Sequence, residues 1–379
     1  MKRITIKPRR NWQGKVEETG LLFHHTEDGV WWNESAYYEF DAAQIDELDD
    51  AANELHSLCL AAVQHVIDND RFEELSIPFA AIPVIKKSWQ RRQPSLYGRF
   101  DFAYDGVNPP RMLEYNADTP TSLLEASVTQ WFWLQELFGD ADQFNSIHEK
   151  LGACWQNFGF NRDAGERIHF ACVSDNLEDL VTTTYLQDTA GEQGFMTERI
   201  LMEDIGWDHP NRRFADLREV PIRNIFKLYP WEWLIAEQFG GYLLETYEEM
   251  CWIEPIWKMI LSNKGILPIL WELNPGHPNL LEAYFDGPVS LKDYVRKPKL
   301  SREGSNISIV KDSREIQTSG TYGEEGFIYQ ALADIPCFDG NYPILGCWIV
   351  GDLSAGMGIR ETSGPITYKG DRFVPHLFR

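Results

Sequence analysis

Several familiar signatures are missing from this sequence. There is no G-x-x-x-x-G-K-[ST] run, and "GMGIRE" (356–361) begins like G-x-G-x-x-G but ends on Glu361. That excludes a P-loop and the usual dinucleotide fingerprint. G-x-S-x-G and H-E-x-x-H are also absent, so neither a nucleophile elbow nor a zincin helix is present. The six cysteines form no C-x-x-C pair, and the nine histidines do not cluster as zinc ligands would. Scattered thiols in a long chain read as reduced and buried. Apolar runs such as "LCLAAVQHVI" (58–67) stop well short of the roughly 20 residues that span a bilayer. "MKRITIKPRRNWQGK" has no apolar core for a signal peptide, and the expected location is cytoplasmic. Basic residues are scarce: 35 Lys+Arg face 58 Asp+Glu, for a net charge of −23. Such a field repels nucleic-acid phosphates and anionic membranes, and it attracts small cations such as amines.

What is present builds a mixed α/β protein. A length of 379 residues suggests two or three domains at about 150 residues each, or one composite unit. Hydrophobic content of 43% with 13% aromatics supplies a sizeable core. Apolar residues at helical spacing predict a long amphipathic helix over 41–70. "PSLYGRFDFAYDG" (94–106), the turn-rich "DGVNPP" and "RMLEY" (111–115) predict a β-hairpin. Helices are expected over 120–138 and 142–158. Strand 167–173, helix 176–190 and strand 194–202 suggest a βαβ unit on a parallel sheet, with a further strand at 224–229. The last third reads as a helix over 264–273, broken by Pro268, then strands at 294–298, 306–310, 326–332, 342–350 and 355–361.

The hairpin carries the chemistry. Strand alternation puts Arg99 and Asp101 on one face and Phe100 and Phe102 on the other. On the returning strand Glu114 and Asn116 share a face. If the strands pair, all four polar groups line one surface. This is either a wet sheet face with a cross-strand Arg–Glu pair or a hard-oxygen site for Mg²⁺. Two other segments bear positive charge. "VRKPKLSREGSNISIV" (295–310) combines Lys297, Arg302 and Gly304 in a loop that could cradle an anion. Lys264 begins a helix, where an anion is favoured. Gln330 lies on an apolar strand whose backbone could meet an adenine edge, and Arg360 follows two glycines on another. Thr119 to Ser122 open a helix whose N-terminus suits a substrate carboxylate. Asp118 is left to the turn beside that helix.

Taken in order, "YGRFDFAYDG", "RMLEYNADTPTS", "KLYPWEW", "SNKGILPILWEL", "KPKLSREGSNISIV", "FIYQ" and "GIRE" resemble the glutathionylspermidine synthase-like family, from about residue 41 to the C-terminus. The resemblance is closest to stand-alone synthetase-type members. It implies an ATP-grasp fold with a pre-ATP-grasp part, antiparallel sheets gripping the nucleotide, and a single synthetase unit over 1–379 without an amidase domain. The pre-ATP-grasp part would take about 160–230, the ATP-grasp part about 258–379 with its phosphate loop at 297–306, and the active-site hairpin 94–118. It implies ATP contacts at Arg99, Phe100, Asp101, Lys264, Lys297, Gly304, Gln330, Pro365, Ile366 and Thr367. Arg99 would be catalytic, stabilising the transferring phosphoryl group. Asp101, Glu114 and Asn116 would hold Mg²⁺, and Thr119, Arg302 and Arg360 would touch substrate or phosphate. Two segments depart from the family. Its K-T-W-x-W-E becomes Lys227-Leu228-Tyr229-Pro230-Trp231-Glu232, and the D-S-A-S of the bifunctional enzymes becomes Asp118-Thr119-Pro120-Thr121.

The resemblance therefore implies an ATP- and Mg²⁺-dependent ligase that joins a small-molecule or peptide carboxylate to an amine, polyamine-like amines included, with ATPase activity. Two alternatives stand beside it. One is an Mg-ATP-binding protein or uncoupled ATPase. The other is a hydrolase working through the Asp101–Glu114 pair, which leaves the lysines and the cationic loop without a role.

Overall fold

The computed structural model describes residues 1–27, 29–160, 166–364 and 371–379. The helix expected near residue 41 runs over Ala42–Asp68. Asp41 accepts from the backbone of Gln44 at 2.9 Å, and the Gln44 side chain accepts from the Asp41 N–H at 3.2 Å. This reciprocal capping fixes the start. Ile45, Leu48, Ala52, Leu55, Cys59, Ala62 and Val66 form the buried stripe, spaced three and four apart as one helical face requires.

That stripe packs on the central sheet. Its five antiparallel strands stand in the order Arg372–Val374, Leu353–Thr362, Tyr342–Val350, Tyr97–Ala103 and Arg111–Asn116. Phe100, Phe102 and Tyr115 turn toward the helix and are buried in the same core. Phe100 and Tyr115 stack with ring centroids 4.0 Å apart. Strand alternation then sends Arg99, Asp101, Glu114 and Asn116 the other way.

The βαβ unit is present. Cys251–Ile253, Asn224–Lys227, Arg167–Cys172 and Met196–Leu201 form a four-stranded parallel sheet in that order. The helix Leu177–Glu192 makes the crossover, and Asn176 caps it by accepting from the N–H groups of Glu178 and Asp179. A second antiparallel sheet is ordered Ala283–Tyr284, Phe327–Ala331, Tyr294–Pro298, Ser308–Lys311 and Arg314–Gln317. A small sheet joins the chain ends, with Ala36–Phe40 paired to Lys2–Thr5 on one side and to His376–Phe378 on the other. Among the described residues no helix is long and apolar enough to cross a membrane.

Two expectations change. Pro268 does not break its helix, which runs over Ile266–Leu273. It occupies the first turn, where a backbone N–H has no intrahelical partner to lose. The helix expected from residue 120 starts at Leu123 and opens into a π turn at Glu125–Thr129 before Gln130–Leu137.

One buried ion pair ties the hairpin to the parallel sheet. Lys227, at the end of Asn224–Lys227, donates to Asp118 Oδ1 at 2.8 Å, and both side chains are fully buried. Asp118 Oδ2 accepts from the Trp231 N–H at 3.0 Å, and Lys227 also donates to the Tyr229 carbonyl at 2.9 Å. Burial lowers the Lys227 pKa, and Asp118 opposes that shift. Removing one partner leaves the other charge stranded. Lys227→Met should lower the unfolding free energy by about 3–5 kcal/mol. Adding Asp118→Leu to it should restore part of that loss, as read from urea denaturation midpoints. An unchanged midpoint in the single variant would show that the pair is not what joins these elements.

Candidate active site

The two five-stranded sheets and the carboxyl ends of the parallel strands enclose a cavity of about 740 Å³. Its floor is the polar face of the hairpin. Asp101 lies directly opposite Glu114, and Arg99 opposite Asn116. Adjacent like charges need compensation, and cations supply it. Arg99 grips Asp101 through two bonds, Nε to Oδ1 at 2.7 Å and Nη2 to Oδ2 at 3.2 Å. Arg360 reaches Asp101 Oδ2 at 3.2 Å. Lys264 stands 3.1 Å from Glu114 Oε2 and donates to the Ser301 carbonyl at 2.6 Å. Asn116 Nδ2 lies 3.4 Å from both Asp101 Oδ2 and Glu114 Oε1.

These neighbours tune the charges. Burial alone would raise the Glu114 pKa, but Lys264, Lys297 and Arg360 hold it down at about 2. Burial pushes Lys297 down to about 8, with Glu114 and Asp101 resisting and Lys264 adding to the shift. Lys297 is fixed by the Leu113 carbonyl at 2.9 Å and Gln330 Oε1 at 2.7 Å. Both lysines thus aim at the same acidic floor from outside the hairpin.

Arg99, Asp101, Glu114, Asn116, Thr119, Lys264, Lys297, Arg302, Gly304 and Arg360 all line this one cavity. Gly304 adopts φ 66°, a left-handed turn that suits glycine. Arg302 is turned toward the hairpin end, donating to Thr119 Oγ1 at 2.7 Å and to Glu232 Oε1 at 2.9 Å. Phe100 is not with them. Alternation places its ring in the core, so its side chain cannot reach a ligand in the cavity. Gln330 stands behind Lys297, its strand paired on both sides to Val295 and Ala283. A backbone so engaged has no edge to offer an adenine. Leu332 and Ala333, just beyond it, line the cavity instead. Pro365, Ile366 and Thr367 lie outside the described residues.

Other contributors escaped the sequence reading. Gly346 lies opposite Asp101, and a Cβ there would stand 2.8 Å from Arg99 Cδ. A lone glycine inside the apolar strand "YPILGCWIV" was the available signal, since it marks a close approach. Arg99 Nη1 donates to the Thr121 carbonyl at 2.8 Å. Asp175, Glu178, Asp179 and Glu303 add an acidic wall to the same cavity. Burial raises Glu178, and burial with Glu178 beside it raises Asp179 to about 7. No local pattern announces that wall.

Comparison with known proteins agrees with this architecture. A family model described as glutathionylspermidine synthase pre-ATP-grasp matches residues 3–379. A Haemophilus influenzae protein described as a candidate acid–amine ligase is 40% identical over 395 residues, covering all of both chains. A Crithidia fasciculata trypanothione synthetase is 31% identical over 87% of this chain and 55% of its own length. The bifunctional glutathionylspermidine synthetase/amidase of Escherichia coli is 29% identical over 89% of this chain. The chain spans 58% of that enzyme. A glutathione synthetase-like effector from Globodera pallida shares the fold, with a TM-score of 0.58 at 12% identity over 97% of this chain and 96% of its own.

Glu114 holds the proton on Lys297 electrostatically. Glu114→Gln should therefore move the Lys297 titration below about 8, because the removed negative charge favoured the ammonium. Lysine-selective ¹⁵N NMR reads this directly. An unmoved titration would break the proposed coupling between floor and lysine.

Proposed function

The chain belongs to the glutathionylspermidine synthase pre-ATP-grasp family, and we propose that it is an ATP- and Mg²⁺-dependent ligase that joins a carboxylate to an amine through an acyl phosphate, releasing ADP and phosphate. The observation that carries this reading is the convergence of Arg99, Lys264, Lys297 and Arg360 on a floor made by Asp101, Glu114 and Asn116. Phosphoryl transfer asks a protein chiefly for positioning and charge neutralisation. Four cations beside two carboxylates fit a triphosphate whose charge shifts during transfer. The division we propose assigns about 160–230 to the pre-ATP-grasp part and about 258–379 to the ATP-grasp part.

Two carboxylates and one amide are the donor set that Mg²⁺ takes when it shares its shell with phosphate and water. They already stand within hydrogen-bond reach of one another through Asn116. Bound there, the ion would neutralise phosphate charge. Arg99 would release part of its hold on Asp101 to meet the transferring group. Lys264 and Lys297 would bind the remaining phosphate oxygens. The loop through Arg302 and Gly304 would cover the site and exclude water, keeping the acyl phosphate from hydrolysis.

The substrates follow less directly. Among the relatives, names specify glutathionylspermidine and trypanothione, so glutathione and spermidine are the first pair to try. Leu228 stands in the cavity wall where the family carries threonine, which favours an acid different from glutathione.

Asp101→Ala or Glu114→Ala should abolish Mg²⁺-dependent ATP turnover. Arg99→Ala should lose about 3–4 kcal/mol of transition-state stabilisation. Phosphate release with matrices of acids and amines, and mass spectrometry for a new amide, measures both. Wild-type turnover in the two carboxylate variants would refute the metal assignment. Stoichiometric ADP without amide in every pairing would leave an uncoupled ATPase.

A further inference from the structure

An acyl phosphate alone does not make an amide. At neutral pH an alkyl amine is an ammonium, with a pKa near the lysine value of about 10.4, and its nitrogen has no lone pair to attack with. The site must take a proton from it. Asp101 and Glu114 are unsuited, because Arg99, Arg360 and Lys264 hold them as paired anions.

Glu178 is placed differently. It stands in the first turn of the helix Leu177–Glu192 and lines the cavity. Its Oε1 accepts from Ser122 Oγ at 3.1 Å. The preceding residue, Thr121, gives its carbonyl to Arg99 Nη1 at 2.8 Å. Arg99 and Glu178 thus grip consecutive residues of one short segment, which sets the carboxylate beside the proposed phosphoryl-transfer centre. The charged groups around it are Arg99 on the hairpin, Glu125 on the π turn, Asp179 on its own helix and Glu303 on the cationic loop. Asp179 has Glu178, Arg302 and Glu303 among its charged neighbours, and the last two belong to the cationic loop. The hydroxyls of Ser122 and Thr121 orient Glu178 without neutralising it, and burial, with Glu303 adding to it, makes the carboxylate a stronger base.

We propose that Glu178 is the general base that deprotonates the incoming ammonium. This rests on the ligase reading. Glu178 takes one proton from R-NH₃⁺, and the freed lone pair forms the C–N bond at the acyl carbon. The C–O bond to phosphate breaks, and the phosphate leaves with that electron pair. The second nitrogen proton leaves with the phosphate as HPO₄²⁻, and Glu178 returns its own proton to water. The amine is accordingly one that arrives charged.

Hydroxylamine provides the test, because it is uncharged near neutral pH and needs no base before attack. Wild type, Glu178→Gln and Glu178→Asp are compared with ATP, Mg²⁺ and a panel of acids that includes glutathione. Hydroxamate is read with hydroxylamine, and amide is read with spermidine and other alkyl amines. Glu178→Gln should lose about 10²–10⁴-fold in amide formation while hydroxamate formation and ATP affinity stay within a few-fold of wild type. Glu178→Asp should recover part of the amide rate. Equal loss with both nucleophiles overturns the base role, as does no loss with the alkyl amines. Hydroxamate without any amide in the wild type also overturns it. Wild-type enzyme that forms no hydroxamate with any acid removes the ligase reading itself, and the base role with it. Should the Gln variant fold poorly, the wild-type pH profile decides: an acid limb with alkyl amines that vanishes with hydroxylamine supports the proposal, and identical profiles refute it.

Discussion

Asp101 and Glu114 face one another across two antiparallel strands, and the site is organised around that repulsion. Two carboxylates in register are unfavourable unless cations stand between or beside them. The cations come from three parts of the chain: Arg99 from the same strand as Asp101, Arg360 from two strands away, and Lys264 from just before the helix Ile266–Leu273. Arg99 and Arg360 come from the same sheet as the floor, whereas Glu114 gains Lys264 only when the segment before that helix docks on the hairpin.

The supports around that floor follow from it. Arg99 can lie flat across the central sheet because Gly346 leaves room. Lys297 keeps its aim because Gln330, buried behind it, accepts one of its protons. The buried Lys227–Asp118 pair holds the end of the hairpin against the parallel sheet. Thr119, the next residue, is where Arg302 of the cationic loop rests. A chain of polar contacts therefore runs from the parallel sheet through the hairpin end to the loop. Arg302 is held by side-chain bonds to Thr119 and Glu232, contacts that a bound anion could compete for. The floor is thus held by ion pairs within the hairpin and its sheet, and the loop touches the hairpin end through the Arg302 side chain.

Much of the fold was legible because its signals are local. The long helix carries its own cap and stripe. The hairpin alternates as far as Asp101, so the facing pairs Arg99–Asn116 and Asp101–Glu114 followed at once, but the register shift after Asp101, which brings Leu113 to the cavity beside Glu114, did not. The βαβ unit announced itself by spacing. Errors arose where a local rule met its context. Pro268 reads as a breaker until its place in the first turn is known. Gln330 stands behind Lys297 with strands paired on both sides, and Leu332 and Ala333 just beyond it line the cavity. Phe100 neighbours two functional residues in sequence but stands on the opposite face. The small sheet of Lys2–Thr5, Ala36–Phe40 and His376–Phe378 was not foreseen, since pairing between chain ends leaves no mark in either.

By itself the sequence determined the chemical inventory: an acidic chain with a hard-oxygen hairpin, a Gly/Ser loop bearing cations, and no P-loop. It also determined which residues share a strand face, because that depends only on the two-residue repeat of extended backbone. The tertiary structure decided which distant groups meet. It put Lys264 against Glu114 and Arg360 against Asp101, buried Lys227 with Asp118, and brought Glu178 to the segment that Arg99 grips. These are contacts over long sequence separations, set by the packing of three sheets around one cavity. Their energies depend on burial and on neighbouring charge, and neither quantity exists until the chain has folded.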